Sequence, residues 1–446
     1  MAAAAIRSSP PWADLNSELL VSIAAAADNG LSLRDYQCLR GVCSAWRSAL
    51  APPYPCLLSL ADGGASVFSL PMRRSFNLCT ASEALDDICR EGRPRRSHGV
   101  GVVGLGIADQ CSRARVVGSG NGRLAVAVDR ADHMYDFNVL GWRTVRVFLL
   151  DPRGGGEVCE FPPPPTSRAD YKCVLKAVFT PDAGRGTVVA TCNNRKVSYI
   201  DTGSARGRNM AWTAVDVLEG YAAHLTDLAF DAGGGKLYCL DSCGVVHVLG
   251  IPHNCQDPAA PVASHPTLTR LPADFPAPYD HVHVFAQTRI KHFFCHGSLH
   301  QVWQNTSAAV KLASGLRISL DEIHVVRYDP GRWPAWEAVK DLGGSSVFVG
   351  TNSNPAVVRA AGAGAVLGVR PNCVYWINWQ RVPMVCDVAT GASEPFVAPN
   401  GVCNGDCWYF DDDGMRNNRG DPEKLAGAPA VARYNWLTIG VCAKDK

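Results

Sequence analysis

Long apolar runs are missing from this chain. Its aliphatic stretches are short and broken by glycine or charge. None reaches the ~20 residues that a membrane-crossing helix needs. The opening MAAAAIRSSPPW has no apolar segment long enough for a signal peptide, so a reducing compartment, cytoplasm or nucleus, is the expectation. An excess of one charge is missing too. Forty-three Lys and Arg stand against 41 Asp and Glu, for a net charge of +2, which gives no electrostatic case for nucleic acid or a membrane surface as partner. Catalytic signatures are also lacking. No P-loop, HExxH pair, nucleophile elbow or pair of catalytic carboxylates occurs in the sequence, so the expectation is a non-catalytic protein with no cofactor and no bound metal.

Three stretches imitate chemistry without its context. Gly99-Val100-Gly101-Val102-Val103-Gly104 fits G-x-G-x-x-G, but a dinucleotide site needs a strand before it and a helix after it. Here Arg93-Pro94-Arg95-Arg96-Ser97 precedes it and a short Leu-Gly-Ile-Ala follows. His281, His283, His292, Cys295, His296 and His300 crowd one span. Zinc wants about four converging ligands, whereas Lys291 to His296 reads as an apolar strand ending in a turn, and packed or rim histidines are the simpler account. Cys403 and Cys407, beside Asp406 and Asp411 to Asp413, read as a solvated loop.

Eighteen cysteines are scattered singly. Cys173, Cys192, Cys239, Cys373 and Cys386 each sit beside Val, Leu or Thr, as small core hydrophobes in a reduced protein do. From about residue 55 short β runs recur between Gly, Pro, Asn and Asp. They are Arg123–Ala127, Val145–Leu149, Thr187–Ala190, Lys236–Leu240, Val245–Val248, Glu322–Val326, Ser346–Val349 and Val374–Ile377. No long amphipathic helices separate them, which argues against a parallel α/β fold. A weak repeat places a turn before an apolar-aromatic strand at Asn121-Gly122, Gly234-Gly235 and Pro371-Asn372. Many short antiparallel strands over nearly 400 residues suit a β-propeller, whose radial repetition manages the sheet edges. The repeat is too irregular to count blades. The aromatics Trp333, Trp336, Trp376, Trp379, Trp408, Tyr409 and Phe410 read as mostly core with some lining a propeller face, and Phe161-Pro162-Pro163-Pro164-Pro165 as a stiff spacer.

The stretch Trp12 to Leu50 differs in kind. Leu15, Leu19, Leu20 and Ile23 recur at helical spacing as one apolar stripe, with Asp14 or Asn16 as cap and Glu18 in the first turn. Asp28-Asn29-Gly30 ends this helix and Ser32 caps the next. Tyr36, Leu39, Cys43, Trp46 and Leu50 then fall on one face, with Gly41 marking a bend into two helices. Pro52-Pro53 closes the segment. A unit of roughly 40 residues is at the lower limit for folding alone. Its surplus apolar surface must meet the β-rich body or another protein, and the pattern leaves a helical cap and a docking module both open.

The run Trp12-Ala13-Asp14-Leu15, Glu18-Leu19-Leu20, Ile23, Asp35-Tyr36, Leu39-Arg40, Val42-Cys43 and Ala45-Trp46-Arg47-Ser48 resembles an F-box of the plant form. It departs from that family at Asn16, where F-boxes usually carry proline. The body resembles the KIB-type β-propeller of plant F-box proteins. The matching segments are Gly118 to Leu124, Leu149 to Pro152 running to Phe161-Pro162-Pro163, Leu175 to Phe179, Ala335 to Gly344, Ser346 to Asn352 and Cys373 to Ile377, with 250 to 300 matching loosely. The resemblance implies a mainly β protein in three parts: a disordered 1–10, a three-helix F-box at 11–51 and a propeller at 55–440. It further implies the substrate-recognition subunit of an SCF-type cullin–RING ubiquitin ligase. Trp12, Leu15, Leu19, Leu20, Ile23, Leu39, Val42, Cys43 and Trp46 would face a Skp-type adaptor, which binds a cullin, while the propeller holds a protein substrate.

Overall fold

The computed structural model describes residues 15–26, 32–61, 64–78, 114–120, 122–131, 143–150, 159–162, 164, 176–180, 188–192, 195–201, 211–219, 223–231, 235–251, 266–275, 288–305, 309–311, 317–319, 322–350, 353–362, 365–378, 382–398, 401–402 and 407–409. Three short helices come first: α1 (Ser17–Ala26), α2 (Leu33–Gly41) and α3 (Ser44–Ala49). As Gly41 suggested, the second helical run breaks there. Ser32 caps α2 in a reciprocal capping box with Asp35, and Cys43 caps α3, its Sγ accepting from the Trp46 backbone N–H. No described helix is long and apolar enough to cross a membrane.

The strands build six blades. Blade 1 pairs Cys407–Tyr409, Cys56–Ala61, Gly64–Ser69 and Arg74–Asn77, from axis to rim. Blade 2 runs Ala114–Gly120, Arg123–Ala131, Arg143–Leu150, Cys159–Phe161. Blade 3 holds Lys176–Phe179, Val188–Cys192, Lys196–Asp201 and Thr213–Asp216. Blade 4 holds Leu225–Phe230, Lys236–Asp241, Val246–Gly250 and Thr267–Arg270. In blade 5 come Thr288–Cys295, Ser298–Asn305, Ile323–Tyr328 and Trp336–Ala338, with a hairpin, Ala309–Lys311 and Arg317–Ser319, inserted between the second and third. Blade 6 has five strands: Ala356–Arg359, Ser345–Val349, Cys373–Ile377, Pro383–Asp387 and Ser393–Pro395. All eight strands expected from the sequence are present. The parallel pairing of Ser345–Val349 with Cys373–Ile377 departs from the all-antiparallel expectation.

A blade is sandwiched between two neighbours, so its inner strands are largely buried on both faces, while outer strands such as Thr267–Arg270 are exposed. Leu58 joins a core with Val116 and Phe148 of blade 2, while the adjacent Leu57 joins one with Phe348 and Tyr375 of blade 6. Further cores fill the contacts between blades 2 and 3, 3 and 4, 4 and 5, and 5 and 6. The ring therefore closes, and the blade count that the irregular repeat withheld is six. Gly118 shows how tightly: a Cβ there would lie 2.0 Å from the Ala177 carbonyl oxygen of blade 3. The turn repeat is real at Gly122 and Asn372, both left-handed with φ of 69° and 57°.

One expectation needs correction. Cys407 belongs to no solvated loop; Cys407–Tyr409 pairs with Cys56–Leu58 and completes blade 1. A strand from the far end of the chain thus supplies the inner strand of the first blade. Of the aromatics read as mostly core, Trp336 and Trp376 are buried, while Trp333 is 82% exposed. Cys239, Cys373 and Cys386 are buried thiols, and burial pushes the Cys386 thiol up to about 11. Residues 1–10, the G-x-G-x-x-G stretch at 99–104, Cys173, His281, His283, Trp379, Cys403 and Phe410 lie outside the described residues.

Candidate docking surface

The helices rest on blade 1 and divide their apolar residues between two sides. Ala24, Leu33, Tyr36 and Leu50 enter the core that Leu58, Val67 and Phe76 of blade 1 share with blade 2. The Tyr36 ring lies 5.5 Å from that of Phe76, and its hydroxyl donates to the Ala51 carbonyl at 2.9 Å. Burial raises the Tyr36 pKa against the pull of Arg40 and Arg74. Arg74, at the start of the outer strand of blade 1, sits over both rings at 5.6 and 4.6 Å. Its Nη1 donates to the Ala24 carbonyl at 2.9 Å, in the last turn of α1, where the helix dipole favours a cation. Gln37 Nε2 donates to the Tyr54 hydroxyl at 2.7 Å.

The other side faces solvent. Leu19, Val21, Ile23 and Val42 are 53, 50, 45 and 54% exposed. Leu19 and Ile23 are spaced by four and share a side of α1, while Leu15 precedes the helix. The expected stripe therefore splits: Leu20 is 2% exposed and turns inward with Ala24. Leu20 is corrected from a partner-facing residue to one that seats the helix. Leu39 packs partly on the blade 1 core. Leu15, Cys43 and Trp46 are half-buried, and Cys43 spends its sulfur on the α3 cap. Trp12 lies outside the described residues. Val21 was missed because it stands apart from the 3.6-residue stripe. Asn16 caps α1: its Oδ1 accepts from the Glu18 N–H at 2.9 Å, and its carbonyl from the Leu20 N–H at 3.0 Å.

At the ring axis the polarity is inverted. Lys176 of blade 3 and Asp227 of blade 4 are wholly buried, with Nζ 2.9 Å from Oδ1. Lys291 Nζ of blade 5 stands 3.5 Å from the same oxygen. The neighbouring His292 meets Oδ2 with its Nδ1 at 3.1 Å and its backbone N–H at 3.0 Å. Burial works to raise the Asp227 pKa, but Lys176, Lys291 and His292 outweigh it and hold the carboxyl well below its ordinary value. The sequence signal was a lysine inside the apolar strand Leu175-Lys176-Ala177-Val178-Phe179.

The histidine cluster disperses. His292 also contacts the Tyr238 carbonyl oxygen at 3.1 Å. His296 contacts that of Leu342 at 3.1 Å. His300 stacks on Phe293; burial, aided by Arg327 and His296 against the Ser298 carbonyl, pushes its pKa down to about 4. Among the described residues no three His, Cys, Asp or Glu are grouped to hold a metal.

Comparison with solved structures finds broad but distant likeness. A protein of unknown function from Bacteroides thetaiotaomicron is 12% identical over 68% of this chain and 64% of that one, less than two thirds of its length, with a TM-score of 0.31. The Cps50 (Swd1) β-propeller domain of Myceliophteria thermophila is 11% identical over 64% of this chain and 95% of that one, at 0.28. A chain of a mitotic checkpoint complex is 12% identical over 67% and 98%, at 0.23. None of the three bears on what this chain binds. No curated protein matches it significantly. The profile of the KIB1-4 β-propeller matches residues 102–420, well over half of the chain and nearly all of the ring from blade 2 onward. The chain belongs to the KIB1-4 β-propeller family.

Proposed function

We propose that this protein is the substrate receptor of an SCF-type cullin–RING ubiquitin ligase, working in cytoplasm or nucleus. The helices would be an F-box docked on a Skp-type adaptor, and the propeller would hold a protein substrate. The observation that carries this reading is the divided helical unit: its inner side is consumed by blade 1, while Leu19, Val21, Ile23 and Val42 are left in water. Each such side chain gains ~1.5–3 kcal/mol when fully buried, so a partner surface is favoured. The chain itself would supply no reacting group; holding the substrate near the ubiquitin-carrying enzyme raises the rate by proximity.

Leu19→Asp combined with Val42→Asp tests it, because both sites are exposed and neither supports the blade 1 core. Co-purification with a Skp-type adaptor should fall by roughly tenfold or more, the effect expected of central interface anchors, with the unfolding midpoint unchanged. Adaptor binding that survives in the folded double variant sinks the reading. The alternative is a non-ligase protein-binding propeller with a degenerate F-box. Asn16 favours it, since the family's proline is replaced. Capture of adaptor without cullin, or of neither, by the wild-type protein would select it.

A further inference from the structure

Blade 6 reaches its innermost strand through Ser353, Asn354 and Pro355, and these residues do not stay in their own blade. Lys176, in the innermost strand of blade 3, donates from Nζ to the Ser353 carbonyl at 2.6 Å. A Cβ placed on Gly120, in the innermost strand of blade 2, would lie 3.4 Å from Asn354 Nδ2 and 3.6 Å from the Phe179 ring of blade 3. In a ring of six, blade 3 stands opposite blade 6. The segment therefore crosses the axis, and Ser353 is wholly buried there.

We propose that Ser353–Pro355 is an axial strap, latched by Lys176, that closes the channel through the propeller. Lys176 is suited to this because one ammonium serves three blades. It belongs to blade 3, binds Asp227 of blade 4 and holds the blade 6 strap. Asp227 extends the tie to Lys291 and His292 of blade 5. A wholly buried ammonium is costly to strand without its partners, so the strap cannot lift without exposing or unpairing Lys176. The consequence for recognition is that a bound partner is read on the rim and blade faces rather than threaded along the axis. The strap stands independently of the ubiquitin-ligase reading.

Hydrogen exchange of the full chain decides it. In Lys176→Met, which keeps the aliphatic stem and removes the ammonium, amides of 353–359 should exchange at least about tenfold faster, as for a locally released segment. Amides of α2 and the outer strands of blade 1 should keep their wild-type rates. Should the buried carboxylate, left to Lys291 and His292, prevent folding of that variant, Lys176→Met with Asp227→Leu removes both members of the buried pair, leaves Lys291 on the Thr226 carbonyl and carries the same expectation. Unchanged exchange across 353–359 in the folded variant, or a uniform rise over all six blades, overturns the strap and leaves Lys176 a general stabiliser.

Discussion

The rim and the axis of this molecule break the usual placement of residues in opposite senses. At the rim, α1 leaves Leu19, Val21 and Ile23 largely in water. At the axis, Lys176 and Asp227 are sealed from water altogether. Burying an isolated charge costs several kcal/mol, and the axial pair persists because it is matched by groups from three further positions. The rim residues have no such compensation within the described residues. The difference separates a charged cluster that is complete from an apolar surface that is incomplete, and only the second asks for something outside the chain.

The comparison breaks most sharply at Asp227. Asp227→Ala leaves Lys176 buried without its carboxylate and should cost ~3–5 kcal/mol in urea unfolding, whereas the paired replacement Lys176→Met with Asp227→Leu should cost far less or nothing. Equal losses in the two variants would mean that shape, not charge balance, holds the axis.

The same contrast exists on a smaller scale within α1. Leu20→Ala removes a buried side chain and should cost roughly 2–3 kcal/mol, while the adjacent Leu19→Ala should change stability by less than about 0.5 kcal/mol. Adaptor binding should rank the two in reverse. A thermal melt and a pull-down on the same two proteins measure both, and a Leu19 variant that melts early would place that residue inside.

Acid separates two buried groups. His300, neutral with its pKa near 4, lies below the ordinary histidine value of ~6.5. Its contribution is full above that value and lost as pH falls towards 4, because the unfolded chain takes up the proton first. Asp227 is depressed as well; its contribution is full above the ordinary carboxylate value of ~3.9 and lost only as pH falls below it. His300→Gln should therefore flatten the urea midpoint between about pH 6.5 and 4. Replacing the axial pair should alter its slope only below about pH 4. Both variants acting in one window would assign the acid response to something else.

The propeller was legible because its inner strands are short, largely apolar and fenced by turns, so Val374 to Ile377 or Lys236 to Leu240 could be read directly. The blade count was not. It depends on long-range closure, and the closing strand, Cys407–Tyr409, lies beside an acidic run that local pattern assigns to a loop. The docking stretch was legible as helices with their caps at Ser32 and Asn16, but not in its facing. Leu20 and Leu19 are one position apart and equally apolar, and only the folded packing tells them apart. The axial cluster left one trace, a lysine in an apolar strand, and its partners sit more than fifty residues away.

Asn16 marks the finest distinction, between a rim unit that is preformed and one that a partner completes. Its side chain satisfies the Glu18 N–H, one of the orphan donors of the first turn. Asn16→Ala should therefore destabilise α1 by about 1 kcal/mol. Because Ala24 in the core and Arg74 on its carbonyl anchor the helix to the body, global unfolding should hardly register the loss. Exchange of the amides of Glu18 to Leu20 should. If adaptor docking requires the preformed first turn, affinity should fall by up to about fivefold, the equivalent of that same 1 kcal/mol. Faster exchange with unchanged affinity would instead mean that the partner itself orders the start of α1, and that the cap at Asn16 is without consequence for docking.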